Sequence, residues 1–166
     1  MRARRRARRR NERGQVAVYA VVLFPLLVLV MSLVYVVGNV EDLRSRIRSE
    51  LDMAALTATQ ALDPTALASG APPRLLPDEA DQLARQYLAQ NLADLGSTLA
   101  ESPSDAAASA DVVVTNSGTD PITGSVVTAP TVSIRLAAPV HISLLSVAGL
   151  PTTISLTLVG SAAART

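Results

Sequence analysis

The chain has no cysteine, no tryptophan and no lysine, and it holds one phenylalanine, three tyrosines and one histidine. Without cysteine, no disulfide can staple the fold, and no thiolate can bind a metal or attack a substrate. Phe24, Tyr19, Tyr35 and Tyr87 are the whole aromatic set. That leaves few bulky side chains for a dense core and few anchors for an interface hot spot. A small domain of this composition is expected to be marginally stable and to gain stability by packing on neighbours. The lone His141 is a poor basis for a zinc site, which wants three or four ligands.

Charge is also missing where it is most telling. Residues 16–40 carry none, and nearly all of them are apolar. A helix of 25 residues rises about 37 Å, enough to cross a hydrocarbon core about 30 Å thick with some tilt. Only a helix satisfies its own backbone there. The run is longer than the apolar core of a cleaved secretory signal, and no clean small-residue cleavage pattern follows it. It reads as a signal anchor.

Arginine is concentrated on one side of this run. Arg2, Arg4, Arg5, Arg6, Arg8, Arg9, Arg10 and Arg13 precede it. Such clusters stay cytoplasmic, so the expected orientation is N-terminus inside. After residue 13 there are seven arginines and thirteen acidic residues. The overall charge of +1 thus hides a basic arm and an acidic remainder. The arm could bind nucleic acid, but its position before a span is better explained as a topology signal that also meets anionic lipid head groups. The expected organisation is an Arg-rich cytoplasmic arm (1–14), a transmembrane helix (15–40), its extracytoplasmic continuation (41–62) and a small α+β extracytoplasmic domain (63–166).

Beyond the run, Leu43, Ile47, Leu51, Ala54, Ala55, Ala58 and Leu62 recur at spacings of three and four, a helical stripe. Arg44, Arg48, Asp52 and Thr59 are assigned to the opposite face. One helix is expected from about Gln15 to Leu62, kinked at Pro25 and stopped by Asp63-Pro64. Residues 64–77 read as a loop. A second helix is expected from Pro77-Asp78-Glu79, whose acidic residues suit the helix dipole, to near Ala100. Residues 101–109 read as a flexible linker. Strands are expected over 111–116, 131–137 and 152–159, with turn chemistry at Ser117-Gly118-Thr119-Asp120-Pro121 and at Gly149-Leu150-Pro151. Two helices and then an antiparallel sheet make an α+β fold.

The stretch Glu12-Arg13-Gly14-Gln15-Val16-Ala17-Val18-Tyr19-Ala20, leading into Leu23-Phe24-Pro25-Leu26-Leu27, resembles the start of TadE/TadG-like proteins. These are pseudopilins of the tight-adherence (Flp-type) pilus system. Leu51-Asp52-Met53-Ala54-Ala55-Leu56-Thr57-Ala58 resembles the Asp-, Met- and Ala-rich segment that follows in that family. The closing strand, Gly-Leu-Pro, strand order is also similar. The resemblance implies a pilin-like fold and a bacterial cell-membrane location. It implies other pilin-like subunits and pilus inner-membrane platform proteins as partners. It places a possible prepilin peptidase cut between Gly14 and Gln15. The fifth residue after that cut is Tyr19, where pilins usually carry Glu. This departure favours an accessory component over a filament subunit.

Helix packing is the expected mode of action. Ala17 and Ala20, beside Tyr19, allow close approach of another helix. Ser32, Tyr35 and Asn39 share one face and could bond a partner helix, or could sit at the lipid–water interface. No enzyme, cofactor, metal or small-molecule substrate is expected. His141 with Ser143 and Asp111 or Asp120 lacks a nucleophile-elbow pattern, and Asp78, Glu79 and Asp81 lack calcium-loop spacing. The alternative reading is a single-pass anchor that presents a small extracytoplasmic binding or sensor module.

Overall fold

The structure is a computed structural model. It describes the backbone of residues 2–142 and 151–164, with side chains from residue 19 onward. The chain divides into two compact units, Met1–Val40 and Glu41–Thr166. Helix α1 (Arg2–Ala58) begins in the first and ends in the second.

In the first unit, the helix continues through Pro25. Proline there leaves the carbonyl of Val21 without its usual N–H donor. From Tyr19 to Val37 the large apolar side chains are exposed around the helix, with Val36 alone half-buried among them. This helix is long and apolar enough to cross a membrane.

The second unit is α+β. Leu43, Ile47, Leu51, Ala54, Ala55 and Ala58 of α1 are all buried, so the helical stripe is the core face. The helix ends at Ala58 and not at Leu62. Thr59, Gln60 and Ala61 donate to carbonyls three residues back, which tightens the chain out of the α-helix. Thr59 is therefore buried and does not belong to the polar face. Asp63 stops nothing; it caps a new short helix, α2 (Pro64–Ala68), where a loop was expected. Its carboxylate accepts from the N–H groups of Thr65 and Ala66, and Pro64 sits at N1, where no donor is needed.

Helix α3 (Pro77–Leu92) starts where the acidic pair predicted, but it ends eight residues before Ala100. A single 3₁₀ turn (Ala93–Leu95) follows. The segment expected to be a linker contains α4 (Pro103–Ser109). Ser102 Oγ caps its start by accepting from Asp105 N–H at 3.1 Å. Its far end is held from outside. Arg85 Nη1 donates to the carbonyls of Ala107, Ala108 and Ala110 at 3.0, 2.8 and 3.0 Å, while its Nε is paired with Asp81. One guanidinium thus serves as the C-terminal cap.

The sheet has the order β1-β4-β5, all antiparallel, from β1 (Asp111–Thr115), β4 (Thr131–His141) and β5 (Thr153–Ala163). Two short strands, β2 (Gly118–Thr119) and β3 (Val126–Val127), close a separate hairpin. The expected strand over 131–137 runs on through Pro139. The reason lies in the ladder. Ile142 N–H donates to Thr152 O, and Ala164 N–H to Pro130 O, so even-numbered residues of β4 and β5 face each other across their shared ladder. Pro139 is odd-numbered. Its missing N–H points away from β5, beyond the end of β1, where its carbonyl accepts from Ala100 N–H. The apolar face of the sheet carries Val132, Ile134, Leu136, Ala138, Val140 and Leu158, which join the α1 stripe and Ala80, Ala84, Leu88 and Leu92 of α3 in one core. Residues 143–150, with Ser143 and the Gly149-Leu150 part of the expected turn, lie outside the described residues.

Candidate helix-packing surface

Small side chains bring elements of the second unit unusually close. A Cβ added at Gly160 would lie 2.6 Å from Leu51 Cβ, 2.8 Å from Leu51 C and 2.9 Å from Asp52 N. Helix α1 therefore rests on β5 almost backbone to backbone. One residue on, Asp52 Oδ1 accepts from Ser161 N–H at 3.1 Å. Asp52, expected to face solvent only, also ties the helix to the sheet.

With its core face spent, α1 turns a second face outward. Met53 is 54% exposed and Leu56 is 51% exposed. At 100° per residue they lie opposite the Leu51–Ala54–Ala58 side, together with Asp42, Arg46 and Ser49. Sequence reasoning did not single out this pair. The signal was available: two large apolar residues three apart on the face a buried stripe leaves free.

The expected residues of the first unit fall as follows. The Gly14–Gln15 bond lies within helical backbone, as do Ala17 and the arginines Arg4, Arg5, Arg6, Arg8, Arg9, Arg10 and Arg13; their side chains are outside the description. Tyr19, Ala20, Ser32, Tyr35 and Asn39 are exposed. Ser32 Oγ donates to Val28 O of its own helix at 2.8 Å, so its donor is already used.

The residues weighed for chemistry are placed apart. His141 Nδ1 meets Thr153 Oγ1 at 3.2 Å across the β4–β5 ladder. Asp111 faces Arg135 at 3.9 Å. Asp120 is 1% exposed and fully engaged: it accepts from Ser133 Oγ at 2.5 Å, Thr123 Oγ1 at 2.7 Å and Ile122 N–H at 2.9 Å. Burial raises its pKa, but these hydrogen bonds outweigh burial and hold the carboxyl below its ordinary value. Asp78 and Glu79 sit in the first turn of α3, and Asp81 pairs with Arg85. Among the described residues no His, Cys, Asp and Glu side chains gather to hold a metal.

No curated protein and no solved structure matches the chain. One family does, over residues 14–70, which take in the apolar helix and its continuation through Met53 and Leu56. That family is described as Flp pilus-assembly TadE/G-like, and it is not an enzyme family. Residues 14–70, about a third of the chain, are thus similar to the TadE/G-like Flp pilus-assembly family.

Proposed function

We propose that the protein is a membrane-anchored minor pilin-like component in assembly of a tight-adherence type pilus or a related secretion machine. It acts by helix–helix packing. The observation that carries this reading is an outward apolar pair on α1: Met53 and Leu56 lie exposed within the residues that match the TadE/G-like family. A helix whose core face is already buried has no internal use for them. The partners are other pilin-like subunits and inner-membrane platform proteins, with lipid around residues 15–40. Ala17 and Ala20 allow close approach of a partner helix, and Tyr35 and Asn39 supply polar groups on the face of Ser32. Arg4, Arg5, Arg6, Arg8, Arg9, Arg10 and Arg13 hold the arm (1–14) in the cytoplasm, and residues 41–166 lie on the other side.

The combined change Met53→Asp and Leu56→Asp tests it. Both side chains are exposed, so the protein should persist in the membrane at its usual level. Pili counted on the cells should fall about tenfold or more, because two charges would be desolvated in the packed face. Normal pilus numbers would rule this face out. Intact-mass measurement of the protein from native membranes settles its processing. A retained arginine arm is expected for a permanent anchor. A chain beginning at Gln15 would instead make it a peptidase-processed pseudopilin.

A further inference from the structure

Strand β5 is an edge strand of 11 residues. Its even-numbered residues bond to β4, so the N–H and C=O groups of Thr153, Ser155, Thr157, Val159 and Ser161 point away from the sheet. Elsewhere this unit covers such groups. Thr98 and Ala100 pair with β4 beyond the end of β1. Asn116 Oδ1 and Nδ2 engage the Leu75 backbone at 2.7 and 3.1 Å. Asp52 occupies the N–H of Ser161. Among the described residues, no backbone group pairs with the outward groups of residues 153–159. Over residues 153–159 the strand also lacks the charge and the proline that commonly protect an edge, and at 11 residues it is not short.

We propose that β5 pairs antiparallel with β5 of a second copy of this chain, joining two sheets into one. The strand's pattern selects this occupant. Ser161 is already taken, so the usable ladder is residues 153–159, and its centre is Leu156. A two-fold axis there sets Ser155 opposite the other copy's Thr157, and Thr153 opposite its Val159. These are all odd-numbered residues, as the outward groups require. With no charge on the strand, self-pairing brings no like charges together. On the other face, Ile154 and Leu156 are only half-buried although they pack on the core. The same axis sets Leu156 against Leu156 and Ile154 against Leu158, which completes their burial. This contact is independent of the helix-packing reading.

The test uses the full chain in native membranes. The protein has no cysteine, so Leu156→Cys introduces a single thiol at the axis, where a non-hydrogen-bonded pair brings side chains closest. Mild oxidation should give a disulfide-linked dimer. Ser161→Cys, outside the shared ladder, should not. Adding Thr157→Lys, an exposed position, should lower the linked fraction about tenfold by placing a charge on the edge. Since Leu156 touches the core, a photo-crosslinking residue at exposed Thr157 is read in parallel and should capture a second copy. Absence of both links would overturn the proposal. So would a Leu156→Cys link that Thr157→Lys leaves unchanged, since that reports random collision.

Discussion

Gly160→Val is expected to unfold the Glu41–Thr166 unit. The added side chain meets Leu51 Cβ at 2.6 Å, and two of the three nearest atoms belong to the helix backbone. Backbone cannot rotate aside as a flexible side chain can. Trimming Leu51 to alanine gives no relief, because alanine keeps the Cβ. Either α1 lifts from β5, taking Ile47, Leu51, Ala54 and Ala55 out of the core, or the strand leaves the ladder. Overpacking typically costs about 1–3 kcal/mol and occasionally more, and contacts with unyielding backbone put this one at the upper end. A domain of this size has about 5–15 kcal/mol in all, and this one is poor in large core side chains. Hydrogen exchange on the full chain in detergent should show α1 beyond Glu41 and β5 losing protection together. Gly160→Ala should do the same to a lesser degree. Unaltered protection in Gly160→Ala would mean that the helix stands farther from the strand.

The residues that were legible in the sequence are those whose partners are near in sequence or implied by a period. The stripe from Leu43 to Ala58 needed only the helical repeat, and the three strands of the main sheet needed only a Val-rich run or alternation beside turn residues. The misread segments, α2 and α4, had caps in plain view. Asp63-Pro64 and Ser102-Pro103 each place an acceptor before a proline at N1. That pattern stops one helix and starts another equally well. What stabilises α4 beyond its cap is Arg85, 22 to 25 residues earlier in the chain, and no local pattern announces it. Gly160 was invisible for the same reason. A glycine in a strand says that something comes close, and only the fold says that it is Leu51. The outward face of α1 was readable by subtraction once the stripe was assigned, yet Met53 and Leu56 looked like more of the same apolar run.

Asp120→Ala should cost the unit about 2–4 kcal/mol, the second large effect. The carboxylate joins the β2–β3 hairpin to β4 through Ser133, thirteen residues away, and closes its own turn through Thr123 and Ile122. Removing it leaves the buried Ser133 hydroxyl unpaired and opens the turn that the exposed Thr123 hydroxyl and the half-buried Ile122 N–H close on it. Asp120→Asn keeps the shape, but its amide cannot accept all three donors, so part of the loss remains. The pH dependence separates the charge from the shape. In the folded chain the Asp120 carboxyl titrates below its ordinary value of 3.8, so the unfolded chain binds the proton more readily. The stability it contributes is therefore present above about pH 4 and is lost as the pH falls through the folded value. Asp63 is also held low, first by the Thr65 hydroxyl, and adds to the same acid limb. Urea unfolding of the full chain, followed by protease resistance from pH 7 down to pH 3, should show a steep acid loss in the wild type. Asp120→Asn should begin lower at pH 7 and fall less steeply below pH 4, with Asp63 contributing to the slope that remains. Parallel curves for the two proteins would show that the hydrogen bonds to Asp120 are indifferent to its charge.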